Sequence, residues 1–337
     1  MRFKRILFFL IICLIAAALA ISYWQQQVDK PLAIASPTLI TISEGATGHS
    51  VLAQLQDADI TTVDDLSAKV WLKFVFSDQH IRAGTYQLSP DMTLPLAFEK
   101  FASGKEHQFS ISLIDGLTFS QWQTLLNNHS HIDFDLTPDT LASLKARWPW
   151  PPAAGLTSLE GLFLADTYHF TAGTSASGLL ARAMDAMKSQ LAKQWQTRQQ
   201  GLPLDSPYEA LILASIIEKE TAVPAERAQI AGVFVNRLRQ NMRLQTDPTV
   251  IYGIGEKYDG NITRAHLREK TAYNTYVIKG LPPTPIAMAG RPAIKAALQP
   301  VPTEALYFVA RGDGSHQFSQ TLEQHNEAVR KYQLNNR

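Results

Sequence analysis

Glu218 and Glu220 close a stretch, 210–217, that is otherwise built of Ala, Leu, Ile and Ser. A carboxyl group at the end of an apolar helix stays partly protonated near neutrality, because leaving water penalises its charged form. That is the state a general acid needs. The loops that follow carry groups that bond hydroxyl and acetamido substituents or stack on rings: Gln245 and Asp247 around Thr246, then Tyr273, Asn274 and Tyr276. These residue types suit acid cleavage of a sugar chain.

Spacing alone does not choose between the two glutamates. The i−3 and i−4 neighbours of Glu218 are Ser215 and Ala214, and those of Glu220 are the equally apolar Ile217 and Ile216. At 3.6 residues per turn the two carboxyls point roughly 200° apart, so they are no dyad. A solvated helix end is the competing reading of Glu218-Lys219-Glu220, and Ser215 to Glu218 also matches a capping box.

The helix that must position them is well marked at its start. Ser206 is the expected N-cap, Pro207 takes the first helical position, and Glu209 completes a capping box. A long amphipathic helix is expected before it over 175–200, and another after Pro224 and Glu226, with Ile230, Val233, Phe234 and Leu238 at helical spacing. Ser110–Ile114 reads as a strand before an Asp115-Gly116 turn and a helix capped by Thr118. Leu306–Ala310, Gly312-Asp-Gly314 and His316–Ser319 read as a hairpin.

Taken as an ordered series, Leu213-Ala-Ser-Ile-Ile-Glu218-Lys-Glu-Thr221, Val235-Asn-Arg-Leu238, Met242-Arg-Leu-Gln-Thr-Asp-Pro-Thr-Val-Ile-Tyr252-Gly253, Tyr273-Asn-Thr-Tyr276 and Gly280-Leu-Pro-Pro283 resemble the motifs of the YceG-like endolytic murein transglycosylases. Leu159-Glu-Gly161, Asp166-Thr-Tyr168, Leu306–Ala310, His316, Phe318, His325 and Asn326 extend the likeness over nearly all of the chain after the N-terminus. Two stretches depart from the pattern: Leu164-Ala165-Asp166 and Ala289-Gly290-Arg291. The resemblance implies that the first glutamate, Glu218, is the catalytic acid. It further implies substrate contacts from Ser215, Glu220, Thr221, Asn236, Gln245, Asp247, Tyr273, Asn274 and Tyr276. For Asn236 and Arg237 the alternative is internal hydrogen bonding, and for Asp247 a turn before Pro248.

In such an enzyme one carboxyl suffices, because the substrate supplies the nucleophile. The acid protonates the glycosidic oxygen between N-acetylmuramic acid and N-acetylglucosamine, then recovers a proton from the muramyl C6 hydroxyl as that oxygen closes onto C1. Ordinary glycosidases need two carboxylates. Two other classes stay open: a hydrolysing muramidase using Asp247 or Glu220 as a second carboxylate, and a non-catalytic anchored peptidoglycan-binding scaffold.

The N-terminus sets the compartment. Arg2, Lys4 and Arg5 precede an apolar run from Ile6 to Ile21 that continues to Trp24, close to the ~20 residues that span a bilayer. Basic residues on the short side orient it cytoplasm-in, and Tyr23 and Trp24 suit the far interface. Ala18-Leu-Ala20 leaves a cleaved signal peptide as the alternative. Cys13, the single cysteine, lies inside the run, so disulfides are excluded as a source of stability.

The expected organisation is α+β: a tail (1–5), a single transmembrane helix (6–24), a linker (25–38), a small LysM-like α/β subdomain (39–106) and a mostly helical catalytic domain with a short β-hairpin sheet (107–337). Net charge is +1, and without the three basic residues ahead of the span it is −2. Nothing in that balance suggests nucleic acid. Nine histidines stand scattered without ligand spacing, so neither a metal nor another cofactor is expected. The expected partners are peptidoglycan glycan strands and the inner membrane; the resemblance adds the peptidoglycan synthases.

Overall fold

A computed structural model describes residues 2–77, 79–152 and 155–334. Met1 and 335–337, which bound the expected tail and catalytic domain, lie outside the described residues. The chain forms two compact units, Met1–Phe109 with Phe170–Ala172, and Ser110–His169 with Gly173–Arg337.

The first unit opens with helix α1 (Arg2–Val28), whose 5–28 stretch is apolar and long enough to cross a membrane. It does not stop at Trp24. Val28 and Leu32 are buried in the unit's core, so this part of the stretch expected as linker packs with the folded unit. Strand β1 (Thr38–Ile42), helices α2 (Gly48–Asp57) and α3 (Asp65–Phe74), strand β2 (Gly84–Leu88) and helix α4 (Leu94–Ser103) follow. β1 and β2 pair antiparallel, with Ile40 opposite Tyr86. Thr47 and Asp64 cap α2 and α3 through their side chains, and Gly104, at φ 70°, ends α4 in the left-handed region that glycine tolerates. Tyr86, Phe98 and Phe101 fill the core.

The second unit contains strand β3 (Phe109–Leu113), helix α5 (Phe119–Asn127), strand β4 (Ile132–Asp133), helix α6 (Pro138–Ala146), strands β5 (Asp166–Phe170) and β6 (Thr174–Ser175) and helices α7 (Ala176–Gln196) and α8 (Pro207–Glu220). Then come α9 (Arg227–Arg239), α10 (Asp247–Ile254), α11 (Arg291–Leu298), β7 (Tyr307–Ala310), β8 (His316–Ser319) and α12 (Leu322–Val329). β7 and β8 form the expected antiparallel hairpin, with Phe308 opposite Phe318. The described residues hold only two-stranded sheets, so the architecture is mixed and mostly helical.

α8 is the axis of this unit. It packs on α7, α9, α10 and α11, and every residue from Ala210 to Ile217 is buried, as its unbroken apolar composition requires. Its cap differs from the expected box by one residue. Ser206 Oγ accepts the Glu209 N–H at 3.2 Å, but the Glu209 carboxylate accepts from the N–H of Asp205, at 2.6 Å, rather than from that of Ser206.

α10 begins inside a segment expected to be a loop, and α11 lies where the sequence suggested no element. Thr246 precedes the first, with Pro248 in its opening turn, and Gly290 precedes the second, with Pro292 in the same place. Asp247 is therefore the first residue of a helix rather than a turn former.

Candidate active site

The end of α8 delivers its two glutamates to different surroundings. Glu220 lines an open cavity of about 560 Å³ whose walls come from the end of α8, from α9, from the 244–247 segment, from Tyr276, from the β7–β8 hairpin and from α12. Thr246 Oγ1 donates to Glu220 Oε2 at 2.7 Å. Burial pushes the Glu220 carboxyl up; Asp247 adds to the rise, while the Thr246 hydrogen bond and the charge of His316 oppose it.

Glu218 does not line this cavity. Its side chain is only 4% exposed, with Oε2 accepting from the Gly290 N–H at 2.8 Å and Oε1 lying 3.4 Å from Arg227 Nη2. Burial also raises this carboxyl, and Asp115 adds to the effect. Its oxygens are oriented by the approach to α11 and by the start of α9. Each glutamate thus has an internal partner, Gly290 and Arg227 for Glu218 and Thr246 for Glu220.

Asp247 and Gln245 also line the cavity, as does Tyr276, whose hydroxyl donates to Asp247 Oδ1 at 2.7 Å. Thr246 and Asp247, neighbours in sequence, therefore tie two carboxyl groups into one wall. Gln245 sits at φ 52°, in the left-handed region rarely adopted by a residue with a side chain. It is held there by its N–H to the Thr275 carbonyl at 3.1 Å. Backbone strain of this kind persists where surrounding structure over-determines it, often at functional sites.

The other expected contact residues are not among the lining residues. Ser215 is fully buried; its hydroxyl donates to the Ile212 carbonyl and accepts from the Ile286 N–H. Thr221, at the end of α8, accepts from the Val223 N–H. Asn236 donates to the carbonyls of Thr303 and Ala305, which is the internal alternative. Asn274, 1% exposed, braces its own loop through the carbonyls of His266 and Glu269. Tyr273 bonds Thr284 at 2.8 Å and packs against Tyr252. Their types signalled polar contacts, and the contacts they make are with the protein itself.

Arg237, Tyr307, His316 and His325 are also among the wall residues. Arg237 is buried; its Nε donates to the Leu306 carbonyl, and its Nη1 to the carbonyls of Arg243 and Leu244 and to Gln245 Oε1. Tyr307 lies under that guanidinium and stacks on His325 at 5.2 Å. His316 is gripped twice by Glu226, through its backbone N–H at 3.0 Å and its Nδ1 at 2.7 Å. The aromatic and histidine content of 306–326 was the sequence signal for this wall, but nothing local assigned it to Glu220. The two departures from the motif series meet as well: Asp166 pairs with Arg291 at 2.9 Å.

Glu160 is a third buried acid, away from the cavity lining. Both of its oxygens accept from the Phe119 N–H, and Oε2 accepts from the Tyr252 hydroxyl at 3.2 Å. Burial pushes it up to about 7. A carboxyl raised in the fold favours folding below its unfolded pKa, and that contribution disappears as pH rises through the folded value. Wild-type stability should therefore fall between about pH 4.5 and 7 by up to about 3 kcal/mol from this group. In Glu160→Gln the slope of unfolding free energy over that window should flatten. An unchanged slope would show that the carboxyl ionises without cost.

The chain is similar to known proteins. Residues 40–331 match the YceG-like family. The chain is 29% identical over 306 residues to the endolytic murein transglycosylase of Bacillus subtilis, a match covering 87% of this chain and 84% of that one. It is 31% identical over 181 residues to the endolytic murein transglycosylase of Streptococcus pneumoniae, covering 52% of this chain and 32% of the relative. Among solved structures it is similar to a YceG-like protein from Listeria monocytogenes, with a TM-score of 0.55 and 29% identity over 87% of this chain and 98% of that chain.

Proposed function

The chain belongs to the YceG-like family, and from that premise we propose that it is an endolytic peptidoglycan lytic transglycosylase with Glu218, the first glutamate of the Glu-Lys-Glu stretch, as its acid and base. The observation that supports the residue assignment is that burial and the neighbouring Asp115 raise this carboxyl, while the Gly290 N–H at 2.8 Å fixes one of its oxygens. Protonated Glu218 gives its proton to the oxygen joining N-acetylmuramic acid to N-acetylglucosamine, and the bond from C1 to that oxygen breaks. The C6 hydroxyl of the same muramyl residue then bonds to C1 and returns its proton to Glu218. The product is a 1,6-anhydro ring, and the tethered attack benefits from the high effective molarity of an intramolecular step. Tyr276 holds Asp247 toward the cavity that Glu220 and Gln245 also line, where these residues serve substrate contact.

Mass analysis of glycan digested by the full chain tests the reaction class. Strands ending in 1,6-anhydro rings are expected. Reducing muramyl ends instead would identify a hydrolase, with Asp247 as the second carboxylate.

α1 would hold the enzyme in the inner membrane as a single span, with both units outside the cytoplasm. The first unit would act as a LysM-like module orienting glycan, and peptidoglycan synthases would supply the strands that are cut.

A further inference from the structure

α3 leaves large apolar side chains in water. Leu66 and Phe74 are 74% and 73% exposed, and Val75, directly after the helix, is 56% exposed. Leu66, Val70 and Phe74 recur every four residues and share one face. Ala68, Trp71 and Leu72 are the residues of α3 that the core uses. The outward apolar face is therefore not explained by packing within the unit.

Its position relative to α1 indicates what covers it. Trp24, at the outer end of the apolar run, donates Nε1–H to the carbonyl of Ser67 at 3.1 Å, and Ser67 follows Leu66. α1 continues only to Val28, about 6 Å beyond Trp24 at 1.5 Å per residue, and Val28 is already core. No free spacer separates the span from the unit, so α3 starts at the level where the hydrocarbon ends. Interfacial helices bury an apolar face ~5–10 Å deep at that level. Lys73 extends over Phe74, with Nζ 5.5 Å from the ring, and Lys69 stands one turn earlier. Long basic side chains beside an apolar face can reach headgroups while their stems stay apolar.

We propose that the Leu66–Val70–Phe74 face of α3 rests in the outer interface of the bilayer that α1 crosses, so that the first unit lies on the membrane instead of hanging from a tether. This rests on reading α1 as a membrane span. The partner is a lipid surface, and the contact fixes the first unit's height at the membrane, where glycan strands are newly made.

The test uses the full chain in lipid nanodiscs, with Cys13→Ser removing the native thiol. An environment-sensitive dye is placed at single cysteines: Leu66→Cys, Phe74→Cys, Ile15→Cys within α1, and Ala53→Cys on the exposed side of α2. Brominated lipids are expected to quench the dye several-fold at 15, 66 and 74, and to leave 53 unchanged. If 15 is quenched while 66 and 74 behave like 53, the proposal is overturned and the span survives. Absence of quenching at 15 would remove the span and the proposal with it. Dyes at 66 and 74 that are shielded from water yet unquenched by lipid, in a chain that runs as a dimer, would assign the face to a second copy and overturn the proposal.

Discussion

Glu218→Gln should abolish nearly all release of 1,6-anhydro muropeptides, with a fall of about 10²- to 10⁴-fold, the usual loss when a general acid/base is removed. The amide keeps the shape and an acceptor for the Gly290 N–H, which lies 2.8 Å from the carboxyl, but it has no proton to give and recover. Glycan binding should persist, and stability should hold or rise, because the amide escapes the cost of burying a charge. Glu220→Gln is the paired measurement. It can still accept from Thr246 Oγ1 at 2.7 Å, so it should keep most activity. If Glu220→Gln is the dead variant and Glu218→Gln cuts at near the normal rate, the assignment reverses and the acid is the glutamate that borders the cavity.

The largest loss of stability is expected from Arg237→Met. Arg237 is 7% exposed, and its guanidinium binds the carbonyls of Arg243, Leu244 and Leu306 and the side chain of Gln245. Methionine fills similar volume without donors, leaving several buried acceptors unpaired at about 1–3 kcal/mol each, for a total of about 3–5 kcal/mol. Because those carbonyls belong to the wall that carries Gln245 and leads into β7, activity should fall with stability. Denaturant unfolding of the second unit's transition measures it. A loss below about 1 kcal/mol would mean that water replaces the clamp.

Both predictions depend on which long-range neighbours a residue finds. Local features were legible in the chain: Ser206 with Pro207 announced the start of α8, Thr118 capped α5, and the 307–319 hairpin followed from its turn. These signals arise within a few residues, where capping bonds and side-chain periodicity operate. α10 and α11 escaped because each is eight residues long and begins with an X-Pro pair that also reads as a loop. Polar residues such as Ser215, Asn236 and Asn274 looked like ligands for sugar, yet bond buried backbone, since composition does not say which partner a polar group will meet.

By itself the sequence determined that a buried helix ends in two glutamates on opposite sides, that an apolar N-terminal helix long enough to cross a membrane precedes the folded part, and which family motifs the chain carries in order. Helical pitch and apolar composition suffice for the first two, and both are properties of contiguous residues. Tertiary structure alone decided which side of the helix opens to a cavity. With apolar neighbours on both sides, desolvation raises both carboxyls, and local environment cannot tell them apart. The distinction lies in what packs there: Gly290 and Arg227 meet Glu218, while Thr246, Tyr276 and His316, brought from 26 to 96 positions further along the chain, surround Glu220.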